Sequence, residues 1–455
     1  MSYETSRRRF FLGAATAAAA ARVWGANDKI NVAIVGVGGR GSNHLNIYPR
    51  LPGARVAAIV DIDQAAREKA QATLLRNTSE KAKDFEDMRQ AFADPGVDAV
   101  SIATPNHWHA LATILACKAG KDVYCEKPAC YNIHEGQVMI QVARETKRMV
   151  QIGSQHRSTP FKMRAFEALH GGLIGQIYMA KGLCFKRRAS IGHAEDSPTP
   201  PGVNWDLFCG PAPLRPFNVK RFKYNWHWFW DTGNGDIGNQ GVHEIGVCRW
   251  GLGDPDMPKS AVAMGGKYAY TDDQETPNTL LASYDYGGRE IVFEVRGILT
   301  GGEGLPLTRR VGVPANAAQP PAGTSSGAAK TPTVAINVSV GNLFYGTEGW
   351  AAMSDQGFQA FKGESSELIM EEKPERGQDT TGLHMENFLA ACRSRSYKDL
   401  HDEIGNAYLS ASLCHLANIS YRTGHKLTIE PGPKFAGDAA ANKLLTRDYR
   451  KPYVV

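Results

Sequence analysis

From Lys29 onward the chain alternates short aliphatic runs with stretches of helical spacing. The runs INVAIVGVG (30–38), ARVAAIVDID (54–63), DAVSIATP (98–105) and KDVYCEKP (121–128) are apolar on both faces, which predicts strands of a parallel sheet covered by helices. Between them, residues 63–75, 87–93 and 107–119 carry apolar positions at helical intervals, and MVQIGSQ at 149–155 predicts a closing strand. Beyond about residue 156 the character changes. QIYMAKGLCF, AVAMGG, TLLASYDY and REIVFEVRGI predict an antiparallel or mixed sheet in a second domain, with packing helices at 384–392 and 403–422. Residues 313–333 are rich in Pro, Gly, Ala and Ser and predict a flexible excursion.

The first 26 residues stand apart, because Ser6-Arg7-Arg8-Arg9-Phe10-Phe11-Leu12 leads into an uncharged, Ala-rich run ending at Ala21. That order of basic, apolar and small residues predicts a twin-arginine export signal, hence a periplasmic or secreted protein that meets the twin-arginine export machinery. The apolar run of 12 residues is too short for a stable membrane span. At 455 residues the chain exceeds one hydrophobic core, and 42% hydrophobic with 22% charged residues is an ordinary globular composition. The net charge of +6 is small, and Arg7 to Arg9 belong to the export segment. Nucleic acid is therefore excluded as the expected partner. The eight cysteines show no C-x-x-C pair, so they are expected to be buried thiols and no metal site is expected.

Four motifs carry chemistry. Gly36-Val37-Gly38-Gly39-Arg40-Gly41 directly follows the first strand and opens a helical stretch. Gly36 permits the tight turn, Gly38 lets backbone approach a pyrophosphate, and Gly41 permits close helix packing, with Gly39 and Arg40 in the same loop. Asp61 follows 20 residues beyond Gly41 at the end of the second strand. An acid there accepts hydrogen bonds from ribose hydroxyls and repels a 2′-phosphate, so NAD is expected over NADP. This predicts an α/β protein with a Rossmann dinucleotide-binding domain over 28–155 and an α+β domain over 156–455 built on a large, mostly antiparallel open sheet.

The second motif, Thr104-Pro105-Asn106-His107-Trp108-His109, ends another predicted strand, where open α/β sheets bind ligands. Thr104 and Asn106 are expected against the cofactor, and His109 is either a cofactor neighbour or a packed structural histidine. The third, Cys125-Glu126-Lys127-Pro128, places Glu126 and Lys127 at the next strand end. A lysine there can stabilise developing oxyanion charge and move a proton once burial lowers its pKa. The fourth is Gly233–Glu244, GNGDIGNQGVHE. Asn239 and His243 lie four apart and share a face of a helix start, with His243 as general base and Asn239 positioning a hydroxyl. Asp236 either caps that helix or reaches substrate.

In this order the motifs resemble those of the Gfo/Idh/MocA family, glucose-fructose oxidoreductase, inositol dehydrogenase and their relatives. GSQHRS (153–158), WDLFCGPA (205–212), HMENFLAACRSR (384–395) and ANISYRTG (417–424) extend the resemblance over nearly the whole chain. It implies that Lys127 is the lysine of the E-K-P motif contacting the reacting hydroxyl, and that His243 is the histidine of a D-x-x-x-H motif. Asn239 stands at that motif's aspartate position. The resemblance also implies that Arg157, Trp205 and Asp206 lie on loops that approach substrate, and that the second domain forms a homo-oligomer surface.

Together these readings lead to an exported oxidoreductase for a sugar, polyol or glycoside hydroxyl. Trp228, within the aromatic run YNWHWFW (224–230), either stacks on a pyranose ring or belongs to a core cluster. Export separates the protein from a free NAD pool, which favours a tightly retained cofactor. Two alternatives accompany this reading, an NAD-dependent glycosidase working through transient oxidation and a non-catalytic NAD-bound sugar-binding protein.

Overall fold

The computed structural model describes residues 29–303, 336–364 and 367–455. Residues 1–26, expected to be an export signal, and the predicted excursion at 313–333 lie outside the described residues. The predicted strands form a six-stranded parallel sheet of β1 (Ile30–Val35), β2 (Ala54–Val60), β3 (Lys83–Phe85), β4 (Ala99–Ile102), β5 (Asp122–Cys125) and β6 (Val150–Ile152), ordered β3-β2-β1-β4-β5-β6. This is a doubly wound Rossmann sheet whose order reverses between β1 and β4, opening a crevice beyond their carboxyl ends. Side-chain caps fix several helix starts. Asp63 accepts from Ala65 N–H at the start of Gln64–Thr78, and Asp87 from Arg89 N–H at Met88–Ala93. A helix not singled out by its apolar spacing, Ile133–Thr146, begins with Asn132 accepting from Glu135 N–H while the Glu135 carboxylate accepts from Tyr131 N–H. N-x-x-E is the sequence signature of that start.

The second sheet comprises β7 (Ile177–Cys184), β8 (Ser260–Gly266), β9 (Thr279–Asp285), β10 (Glu290–Arg296), β11 (Val340–Gly346), β12 (Gly349–Ser354), β13 (Gly357–Lys362), β14 (Leu368–Glu372), β15 (Leu427–Glu430) and β16 (Lys434–Phe435). Their order is β14-β13-β12-β11-β7-β10-β9-β8-β15-β16. Among the described residues every strand pairing in this sheet is antiparallel except β7 with β10, which is parallel. The helices Val242–Gly251 and Ile404–Thr423 cover one face. Close approach is built into the glycines: a Cβ on Gly182 would fall 2.6 Å from Phe293, and one on Gly251 would fall 2.2 Å from Phe344.

One apolar cluster runs through both halves, from Val35, Ile102 and Cys125 to Phe293, Tyr284 and Leu413. It fixes the strand ends of the first sheet against the second. The helix Thr380–Ser394, late in the chain, packs Met385, Phe388 and Leu389 onto Ile30, Val32 and Tyr124 and so completes the first domain's core. All eight cysteines are buried free thiols. Among the described residues no helix is long and apolar enough to cross a membrane.

Candidate active site

The glycine loop divides its work between fold and ligand. Gly36 has φ +82°, and a Cβ there would sit 2.8 Å from Ala103 O; a Cβ on Gly41 would fall 1.7 Å from Gly36 O. Both positions are closed to any side chain. At Gly38 and Gly39 a Cβ would meet nothing within 4 Å. That open space lies at the N-terminus of the helix Arg40–Ile47, where free N–H groups favour an anion. Asp61, at the tip of β2, accepts from Val37 N–H (2.8 Å) and Asp63 N–H (3.0 Å), tying the loop to the strand end. Burial raises its pKa and these two bonds oppose the rise. Thr104 Oγ1, just beyond β4, is buried without a hydrogen-bond partner. An open cradle, a flanking carboxylate and an unsatisfied hydroxyl fit a dinucleotide.

Glu126 and Lys127 follow β5 and take different parts. The Glu126 carboxylate accepts from Arg40 Nε at 2.9 Å and meets His44 Nε2 at 3.0 Å, with the other His44 nitrogen 2.9 Å from Ser101 Oγ. Burial alone would raise Glu126, but Arg40 and His44 hold it well below the usual carboxylate range. It is therefore an anion that anchors Arg40. Lys127 Nζ donates to the Asn239 carbonyl (2.7 Å) and lies 3.4 Å from Asn239 Oδ1. This contact joins the first domain's strand end to the fourth motif, and burial lowers the lysine's pKa.

That motif forms a π-turn over Ile237–Gly241 that runs into the helix Val242–Gly251, an insertion common at functional sites. Asn239 Nδ2 donates to Tyr224 Oη (3.1 Å) and lies 3.4 Å from Asp236 Oδ1. Asp236 takes a bidentate pair from Arg188 at 2.8 and 2.6 Å, so it fastens the turn to the strand-end segment beyond β7. Arg188 also stands 5.2 Å over the Trp228 ring. His243 is half-buried, and its Nδ1 is buried without a partner. Burial, then Lys127 and His156, hold it well below the ordinary histidine range, so its ring is a neutral base at pH 7.

His156 stacks on His243 with centroids 5.2 Å apart and planes at 21°. Its Nδ1 is 2.6 Å from Lys162 Nζ, which pairs with Asp355 at 2.9 Å. Burial and then Lys162 keep His156 uncharged. Glu244, beside His243, is 2% exposed and burial pushes it up to about 8. GSQHRS pointed to Arg157, yet its neighbour His156 reaches the site. Lys162, Asp355 and Arg188 carry no sequence signal, because they arrive from separate loops and helices, whereas Tyr224 opens the aromatic run 224–230.

Several expected neighbours are employed elsewhere. Arg157 donates to Asp254 Oδ2 at 2.8 Å. Trp205 sits in an aromatic cluster with Phe208, Phe217 and Phe222 and donates to Arg215 O at 2.7 Å. Asp206 pairs with Arg450 at 2.6 Å. In this structure each of the three thus has a packing or pairing partner, and the Asp206 carboxylate is 58% exposed. His109 has both ring nitrogens on backbone carbonyls, Pro128 (2.7 Å) and Thr104 (2.8 Å), the packed alternative for this residue. Asn106 is 1% exposed and donates to Asn234 at 2.9 Å. It braces the junction of the two domains.

Two models of one oxidoreductase family match the chain, its NAD-binding Rossmann fold over residues 30–154 and its C-terminal alpha/beta domain over 173–297, together more than half of the sequence. The chain belongs to the Gfo/Idh/MocA family. Among curated family relatives, inositol 2-dehydrogenase from Rubrobacter xylanophilus is 31% identical over 169 residues, 37% of this chain and 46% of that protein. A glycosyl hydrolase family 109 protein from Saccharopolyspora erythraea is 30% identical over 165 residues, 34% of this chain and 35% of that protein. The match thus spans less than half the length of these relatives. The WlbA dehydrogenase from Bordetella pertussis, solved with NADH and UDP-GlcNAcA, shares the fold with TM-score 0.61 at 18% identity, covering 88% of this chain and 99% of that one.

Proposed function

We propose that this protein is an exported, NAD(H)-dependent oxidoreductase acting on a hydroxyl of a sugar or polyol. The observation that carries the proposal is the meeting of Lys127 with the Asn239–His243 turn at the carboxyl edge of the sheet that holds the open Gly38-Gly39 cradle. Inositol dehydrogenase among the relatives supports the substrate class. Gly38, Gly39, Asp61 and Thr104 would hold the dinucleotide, with Asp61 favouring NAD over NADP. When bound, the nicotinamide accepts the hydride that leaves the carbinol carbon. His243, neutral and with an unsatisfied nitrogen, takes the hydroxyl proton, and the Lys127 ammonium steadies the oxygen as it becomes a carbonyl. Asn239 orients Lys127 in place of a carboxylate. The residues 1–26 supply export, and the cofactor travels with the folded protein.

A second reading is favoured by the similarity to a glycosyl hydrolase family 109 protein. On a glycoside, the same base and lysine would assist loss of a ring hydroxyl's proton as the hydride of its carbinol carbon passes to the bound nicotinamide, and the proton on the adjacent carbon and the aglycone alcohol would then be eliminated. Water adds and the ketone is re-reduced, so no nucleotide is consumed.

Native purification followed by absorbance measurement with a sugar and polyol panel tests the first reading. We expect co-purified nucleotide, reduced-nicotinamide absorbance on adding substrate, and loss of turnover in Lys127→Ala and His243→Ala. Unimpaired turnover in both variants would overturn the site. Release of nitrophenol from nitrophenyl glycosides without added NAD selects the second reading.

A further inference from the structure

The motif WDLFCGPA (205–212) takes no part in the chemistry at His243. It lies in the segment that leaves β7 and crosses back onto the first domain. The tip of this segment, residues 201–204, pairs with the turn after β2. Gln64 N–H donates to Gly202 O at 2.9 Å, Asn204 N–H donates to Ile62 O at 2.9 Å, and Asp63 and Val203 form an antiparallel bridge. Asn204 Nδ2 reaches the turn after β3 and donates to Glu86 Oε2 at 2.9 Å. Behind the tip, the start of the helix Asn106–Lys118 that follows β4 holds the same segment. Trp108 Nε1 donates to Leu207 O at 3.0 Å and His107 Nε2 donates to Phe208 O at 2.8 Å.

The strand ends of β2 and β3 frame the half of a doubly wound sheet that takes adenosine, and Asp61, next to Ile62, stands where ribose hydroxyls are bound. Base and tip of the segment are held unequally. At the base, Trp205 stacks on Phe208 with centroids 4.7 Å apart inside the cluster with Phe217 and Phe222, and Arg450 donates to Gly210 O at 2.8 Å and to Asp206 Oδ1 at 2.6 Å. At the tip, Pro201 and Gly202 are exposed and Gly202 turns with φ +79°. A packed base with an exposed, lightly bonded tip lets the tip open locally while the base stays folded.

We propose that residues 201–204 form a strap across the adenosine half of the dinucleotide site, closed in this structure, which lifts for the nucleotide to enter or leave. This rests on the nucleotide assignment above and supplies a physical cause for retention, because exchange then waits on the strap as well as on the ligand's own contacts. WDLFCGPA acquires a task as the anchor of the strap.

Exchange rates of NADH test this, since a cover slows entry and exit alike, whereas loss of a direct ligand contact acts mainly on exit. Stopped-flow fluorescence reads NADH binding to nucleotide-stripped protein and its displacement from loaded protein by excess NAD. Glu86→Ala frees the tip at one exposed residue, and Asn204→Ala also removes the bond that Asn204 accepts from Leu207 N–H. We expect association and release to rise together, about threefold in Glu86→Ala and about tenfold in Asn204→Ala, the scale of one or two lost hydrogen bonds. Faster release with unchanged association would make the segment a plain ligand contact and overturn the strap. Unchanged rates in both variants would overturn it as well and leave the nucleotide assignment standing. Failure of the parent protein to bind NADH would overturn the strap and the nucleotide assignment together.

Discussion

Glu244 provides the most quantitative test of the electrostatics around His243. Its side chain is 2% exposed, accepts one hydrogen bond from Gln240 Nε2 at 3.2 Å and leaves Oε2 unsatisfied. Burial is the largest influence and pushes the carboxyl from 4.5 up to about 8. The folded state therefore holds the proton more tightly than the unfolded chain. Below about pH 4.5 both states are protonated and Glu244 contributes no pH dependence. As pH rises toward 8 the unfolded chain ionises while the folded protein does not, and stability falls. At about 1.4 kcal/mol for each pH unit, the loss reaches about 5 kcal/mol above pH 8. Glu244→Gln keeps the shape and removes the titration. The variant should match the parent near pH 5 and exceed it at pH 9 by ~5–10 °C in Tm, taking about 2 °C per kcal/mol for a large chain. Differential scanning calorimetry of parent and variant across pH 5 to 9 isolates this residue, because other groups contribute equally to both. A Tm difference that stays constant with pH would refute the reasoning, since it would mean that the carboxyl ionises in the fold as it does in water.

The glycine loop separates fold from ligand. Gly41→Ala places a Cβ 1.7 Å from Gly36 O and should yield little folded protein, whereas Gly38→Ala meets nothing within 4 Å and should fold normally yet bind NADH at least about tenfold more weakly. Fluorescence titration checks this, and undiminished affinity in Gly38→Ala would remove the cradle from the cofactor site. Glu126→Gln leaves Arg40 without its counter-charge beside a buried His44. With the Arg40 side chain 32% exposed, a loss of ~2–3 kcal/mol is expected, read as a Tm lower by ~4–6 °C, and an unchanged Tm would show that Glu126 is not the anchor.

The sequence by itself determined what is local. Aliphatic runs on two faces dictate parallel strands, glycines at fixed offsets dictate the loop, and strand ends dictate where Asp61, Thr104 and Lys127 stand. His243 and Asn239 were legible because four residues span one turn. Tertiary structure decided which side chains meet. Arg157 and His156 are neighbours in sequence, but Asp254 captures the arginine and His243 stacks on the histidine. Lys162 and Asp355 are 193 residues apart and meet beside His156 only because the β12–β13 turn folds over the helix Pro160–His170. The helix Thr380–Ser394 returns to complete the first domain's core. Local pattern encodes period and turn, whereas the pairing of charges and the burial that shifts them depend on contacts between distant segments, and these carry no periodic trace in the chain.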